Sequence, residues 1–416
     1  MKTSILTKTL IASAIALTAI GTTGCSNSGK KADQQKGNPE QELLVMVSPS
    51  QVLSDMKKNP ADASFDLALR AVDSVAQYDL GRTQQDDHDF AKEFCRIYLE
   101  QNASADFSNV LNLPELSPGA TIEEAADAIN KAAKAGIADR IIPVLEKRLT
   151  YAGATFLEIK PTAGNFPTLR ILAGGLDGKN MESLISTKGN VDIRAGAQSE
   201  AQEAMEEIDR RSGYLLSAKS YSFSEIANPD NTTKEYAHKL DFKNALIGYF
   251  KQSDINMVDS ILSQKEAIAT LPSDVRLCWS YSPEIYGDGV YSLYVLKDRN
   301  SPDSNLGQYI DSAEVATDNI LGAYISIKFN DKGAEIFERL TADNIGHELA
   351  ITIDDKVMSA PRVCDRITGG YSLITGYYDE ATLNRFAAIL NGGAMPWDCK
   401  VIQCRPYTES KPENGE

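Results

Sequence analysis

The stretch ISIKFNDKGAEIFERLTADNIGHELAITIDDKVMSAPRV (Ile325–Val363) decides the fold. ISIKFN alternates apolar and polar residues, as a half-buried strand does. Asp331 follows as a helix cap, and KGAEIFERLTADN carries apolar residues at three- and four-residue spacing up to Gly346. ELAITI and VMSAPRV are two further strand candidates, separated by Asp354, Asp355 and Lys356. Asp bonds its own backbone at turns, so the spacing predicts a hairpin turn whose neighbouring carboxylates point apart into water. A catalytic pair would need convergence on one substrate and a partner base or metal, and nothing nearby supplies either. Pro361 cannot donate to a strand ladder and belongs at an edge or bulge. Ser359 and Ala360 are small, leaving two readings of this edge: open to an extended peptide, or capped and protected.

Working outward, the pattern stays α+β. Residues 275–298 give two strands (VRLCWSYSPE and YSLYVLKD), with Gly287, Asp288 and Gly289 between them as a turn signal. Trp279, Tyr281, Tyr286, Tyr291 and Tyr294 gather around this hairpin, either as cross-strand packing or as an exposed aromatic face for unfolded peptide. ITGGYSLITG and the helix DEATLNRFAAILNGG follow, and CKVIQCRPYT is a last strand before a polar tail. Upstream, ELLVMVS (42–48) is a short strand and residues 48–80 and 86–102 read as helices, the second starting in a group of aspartates. Thr121 and Glu124 have capping-box spacing at the head of helices that stop near Gly153. TFLEIKP and PTLRILAGG form a hairpin, GKNMESLIST a helix and GNVDIRAG a strand. That order is a ferredoxin-like split βαβ unit whose first strand and first helix are separated by an all-helical insertion. Residues 197–265 read as helical and polar, with the acidic run Glu203, Glu206, Glu207 and Asp209 as a solvated face.

The chain has 416 residues, enough for two or three domains, and a net charge of −16 that argues against nucleic acid as a partner. MKTSILTK followed by TLIASAIALTAIG is a secretory signal, too short to span a membrane. Cys25, directly after Gly24, resembles a bacterial lipobox cysteine that is lipidated; simple cleavage leaving a free thiol is the other reading. Residues 25–41 then form a flexible tether. Five further cysteines (Cys95, Cys278, Cys364, Cys399, Cys404) and three histidines show no paired metal-ligand spacing, so neither a metal nor a cofactor is expected. Ser359 has no GxSxG context, and GGLDGKN (174–180) lacks the GK[ST] ending of a phosphate loop, so no catalytic residue is assigned.

The run 325–363 is similar to the first periplasmic region of SecD, an accessory subunit of the protein-export translocon. ITGGYSLITGYYDEATLNRFAAILNGGAMP (367–396) continues the similarity in the same order; the SAP step (Ser359, Ala360, Pro361) of the first run and the closing GGAMP both match. RIIPVLEKRLTYAG with the hairpin after it resembles the family's helix and hairpin more loosely. The family's glycine-rich step before its first strand is replaced by NPEQELLV, and its membrane half has no counterpart here. The resemblance implies a base (residues 42–234 and 397–407) and a head (residues 235–396) after the signal peptide (1–24), with a polar tail at 408–416. Hinges would lie near 215–235 and 394–398, and Gly392, Gly393 and Pro396 suit a hinge as well as an ordinary helix stop. It also implies a non-enzymatic envelope protein that binds unfolded or exported protein segments or envelope proteins; the lipobox adds the lipid anchor, and Ser26 beside it, with no early acidic cluster, points to the periplasmic side of the outer membrane. Ser359, Ala360, Pro361, Arg362, Trp279 and Tyr291 are the contact candidates. A structural module that kept the fold without a transport role is the alternative.

Overall fold

The computed structural model describes residues 37–79, 89–164, 166–222, 225–226, 240–283, 289–298, 304–319, 322–376 and 378–408. Cys25, the signal, the tether up to residue 36, Tyr286 and the Gly287–Asp288 turn lie outside them. The chain forms two compact units, one built from residues 26–188 and 391–416 and the other from 189–390.

The first unit begins with β1 (Gln41–Val47), whose Leu43, Val45 and Val47 alternate into the core. Helices Pro49–Ser54, Ala63–Asp79, Phe90–Gln101, Phe107–Val110, Ile122–Gly136 and Ile142–Tyr151 follow. Asp89 caps one of them through the amides of Ala91 and Lys92, as the aspartate group suggested. The capping box is present: the Thr121 hydroxyl accepts the Glu124 amide at 3.2 Å, and the Glu124 carboxylate accepts the Thr121 amide at 2.9 Å. That helix buries Ala125, Ile129 and Ala133 on one stripe, the four-residue spacing of an amphipathic helix. It passes through a π-helical turn at Ile137–Ile141 before the next helix starts. β2 (Phe156–Pro161) and β3 (Thr168–Gly174) form the expected hairpin, and helix Gly178–Ser186 follows, capped by Asp177.

The second unit opens with β4 (Val191–Ala195) and helices Gln198–Arg211 and Leu215–Lys219. β5 (Leu246–Lys251), helices Gln252–Leu262 and Lys265–Thr270, β6 (Val275–Trp279) and β7 (Val290–Lys297) come next. Then follow β8 (Ile310–Asp318), β9 (Gly322–Phe329), helix Asp331–Asp343, β10 (Leu349–Ile353), β11 (Lys356–Ser359), β12 (Tyr371–Ile374) and helix Glu380–Gly392. They make three antiparallel three-stranded sheets, ordered β11-β10-β4, β12-β9-β8 and β5-β7-β6. Helices and β5-β7-β6 share a core of Met205, Ile208, Phe250, Val258, Leu293 and Val295.

The chain then returns as β13 (Cys399–Pro406) in the first unit. There the sheet order is β13-β1-β3-β2, antiparallel throughout. This is the ferredoxin-like arrangement, and the fold is α+β as expected. Its fourth strand is β13, not the strand at 189–196. β4 pairs instead with β10 in the second unit, Ile193 opposite Ile351. The base–head boundary expected near residue 234 accordingly falls between Lys188 and Gly189, and the return boundary expected at 396 falls between Leu390 and Asn391. Sequence alone could not choose, because VDIRA has the strand character of β13 and sits where a fourth strand is due. Two more strands differ from expectation: β5 lies in the stretch read as helical, and β8 was not anticipated. The cap of helix Asp331–Asp343 is Asn330, whose side chain accepts the Gly333 amide, and Asp331 is the first helical residue.

Candidate functional site

The β10–β11 hairpin of the head unit carries the site candidates. Asp354 and Asp355 form its two-residue turn with φ of 48° and 62°. Both lie in the left-handed region, where Asp is tolerated better than most residues but glycine is easier. The turn reading holds, and the Asp355 side chain, 59% exposed, does reach water; the half-buried Asp354 does not point away into it. The Asp354 carboxylate accepts the amides of Gly189 (2.9 Å) and Asn190 (2.8 Å). Asp355 accepts Arg194 at 2.5 Å, and Arg194 also donates to Asp192 at 3.1 Å. The Arg194 side chain is fully buried, and its Nη1 lies 3.7 Å from the Cys278 thiol. Burial would lower its pKa; Asp355, Cys278 and Asp192 together hold it above the ordinary value. The two aspartates thus serve separate partners and tie the turn to the start of the unit.

Beyond the turn, β11 runs into the SAP step. Ser359 lies opposite Ile351, the Pro361 carbonyl accepts the Leu349 amide at 3.1 Å, and Arg362 bridges Glu348. On the other edge, the Val357 carbonyl accepts the Tyr281 amide at 2.9 Å and the Met358 carbonyl accepts the Tyr378 hydroxyl at 2.6 Å. The edge is therefore covered at Val357 and Met358, which favours the capped reading there. Ser359, Ala360 and Pro361 are half-buried and Arg362 is exposed. Ala360 packs on the small cluster of Ala350, Val357, Cys278 and Leu296.

The aromatic candidates divide. Trp279 is 7% exposed, T-stacked 5.6 Å from Phe250, with its indole N–H donated to Asp259 at 2.8 Å. It is a core residue, which corrects its assignment to a contact face: β6 turns that side chain inward. Tyr291 is half-buried against the same core. Tyr281, at 37% exposed, is the ring that reaches the surface. It stands edge-on to Phe386 at 4.6 Å, and Tyr378 does the same at 5.5 Å. Sequence reasoning placed Tyr281 in an aromatic group but missed Tyr378, in the connection after β12, and Phe386, in helix Glu380–Gly392. The bonds of Tyr281 to Val357 and of Tyr378 to Met358 bring them together on β11.

Gly392, Gly393 and Pro396 lie in the first unit. Gly393 has φ +83° and Gly392 sits against Arg148, the geometry of a helix stop and a close contact. Among the described residues no group of three or more His, Cys, Asp or Glu could hold a metal, and no helix is long and apolar enough to cross a membrane.

Residues 299–397 match the family model described as the SecDF P1 head subdomain. The protein translocase subunit SecD of Calditerrivibrio nitroreducens is 33% identical over 166 residues, covering 38% of this chain and 31% of the relative. That of Rhodothermus marinus is 30% identical over 163 residues, covering 39% and 26%. That of Leptotrichia buccalis is 36% identical over 99 residues, covering 24% of each chain. The chain spans between a quarter and a third of the length of these relatives. A solved structure of SecDF, described as a membrane component that enhances protein export, aligns at 20% identity with a TM-score of 0.35, over 63% of this chain and 90% of that one. Residues 299–397 are thus similar to the head subdomain of SecD-type translocase subunits.

Proposed function

Starting from this similarity, we propose that the head unit holds extended segments of proteins in export or envelope assembly. The surface is the SAP step with Arg362 and the exposed ring of Tyr281. The observation that carries the reading is the match of residues 299–397 to the P1 head subdomain, which contains all of these residues except Tyr281. Small side chains at Ser359 and Ala360 leave room beside an aromatic face, and stacking on aromatic rings tolerates many sequences. Because Val357 and Met358 are already bonded on their outer edge, contact runs through side chains and the 359–362 backbone, not through a full added strand. The chain is a lipoprotein held through Cys25 in the cell envelope, facing the periplasm. No catalytic step is assigned to it.

The test is anisotropy of a fluorescent, permanently unfolded polypeptide titrated with the purified chain. Binding should weaken at least tenfold in Tyr281→Ala and in Arg362→Glu, with Glu203→Ala, on an exposed helix face, unchanged. No binding by the wild-type chain removes the peptide-holding role and leaves a structural module; equal affinity in all four proteins removes this surface.

A further inference from the structure

The base takes its fourth strand from the far end of the chain, so something must fasten that late strand. Arg148, in helix Ile142–Tyr151, is fully buried. Its Nη1 donates to the carbonyls of Leu184 (2.8 Å) and Thr187 (2.5 Å), and its Nη2 to those of Lys188 (2.8 Å) and Gly393 (2.6 Å). The first three carbonyls are on the last residues before the chain leaves the base; the fourth is on the turn by which it comes back. One planar guanidinium, with donors fixed in a fork, thus holds both crossings. A Cβ on Gly392 would lie 2.3 Å from the Arg148 Cγ, so the glycine makes this approach possible.

Contacts of Met395, Trp397 and Asp398 with the base continue the attachment up to β13. The Met395 amide donates to the Lys188 carbonyl at 2.7 Å, and the Lys188 ammonium lies 3.2 Å from Asp398. Trp397 packs on Gly136, where a Cβ would stand 2.3 Å from the indole. Its N–H donates to Asp55 at 3.0 Å, and the Arg140 guanidinium lies 4.6 Å from its ring. Burying a guanidinium is costly unless its hydrogen bonds are made, and breaking such a set leaves both charge and carbonyls exposed to an apolar interior.

We infer that Arg148 is a clasp that docks the return segment and β13 onto the base as one cooperative piece, while β1, β3 and β2 stand without it. Among the described residues β13 is an edge strand paired with β1 alone, so it can leave without breaking the β1–β3 and β3–β2 ladders. Opening the clasp is then the lowest-energy way to uncover the outer edge of β1.

Hydrogen exchange on the full chain tests this, comparing wild type with Arg148→Met, Arg148→Lys and Gly392→Ala. Loss of the carbonyl bonds should cost the Met395 amide and the β13 amides bonded to β1 about a hundredfold in protection in Arg148→Met. Amides of the β1–β3 and β2–β3 ladders should stay within about threefold. Arg148→Lys should fall between, because a compact ammonium cannot span four carbonyls. Gly392→Ala, which keeps the arginine and only displaces it, should reproduce the selective loss and carries the test if Arg148→Met does not fold. Equal loss over all four strands, or no loss at Met395 and β13, overturns the inference.

Discussion

Asp354→Ala is the substitution for which the structure gives the clearest number. The Asp354 carboxylate makes two charge-assisted bonds to the Gly189 and Asn190 amides, at 2.9 and 2.8 Å, from a half-buried position. Bonds of this kind contribute about 1.5–3 kcal/mol each, and partial exposure puts both at the low end, so their loss costs about 3 kcal/mol. Alanine must also hold φ near +48°, which adds about 1 kcal/mol that Asp partly avoids. Asp354→Gly loses the same bonds without that strain and should be less damaging than alanine by about 1 kcal/mol. The chain has two tryptophans, Trp279 in the head core and Trp397 in the base. In a Trp397→Phe background, indole fluorescence during urea unfolding therefore reports the head. With a slope of about 2–3 kcal/mol/M, the midpoint should fall by roughly 1–2 M for alanine. A shift below about 0.2 M, or glycine proving worse than alanine, would refute the claim that this carboxylate fastens the start of the unit.

Other outcomes follow from the same contacts. Thiol labelling of the native chain, mapped by mass spectrometry, should modify exposed Cys364 and Cys404 and spare Cys95, Cys278 and Cys399; burial pushes the thiols of Cys95 and Cys399 up to about 12. Asp62 titrates below the ordinary carboxylate value: burial raises it, but the Tyr98 hydroxyl, the Phe65 and Ser64 amides and Lys57 outweigh that. Its contribution is thus complete above the unfolded value near 4 and fades as pH falls through the folded one, so Asp62→Asn should flatten the acid limb of base stability. Burial and Asp62 raise Tyr98 to about 12, so its contribution is present below about pH 10 and lost as pH rises through about 12; Tyr98→Phe should remove that alkaline slope. Cys25→Ala should move the protein from the membrane fraction to the soluble periplasmic fraction, and unchanged membrane association would contradict lipid anchoring.

Local signals were the legible ones. Thr121 with Glu124, Asp89, the 156–174 hairpin and the Asp354–Asp355 turn all depend on neighbours within a few positions, and each formed as its chemistry requires. What the sequence hid was pairing at a distance. VDIRA and CKVIQCRP are both adequate fourth strands, and only the fit of β4 against β10 assigns the first to the head. Asp-Asp at a hairpin looks solvent-facing until Arg194 and the Gly189 and Asn190 amides are seen beneath it. Trp279 looks like a surface aromatic because strand alternation fixes which residues share a face but not which face is inside. Arg148 gave no signal at all: an arginine in an amphipathic helix reads as exposed, and its four carbonyl partners lie in two segments far apart in the chain.

The measurement closest to the central claim is photocrosslinking in cells, with a photoreactive residue at Arg362 and, as control, at Glu203. The account predicts that the Arg362 probe captures many newly exported polypeptides, each as a discrete adduct, and that capture drops when Tyr281 is changed to Ala. A single folded partner at Arg362, or adducts no more abundant than at Glu203, would contradict it.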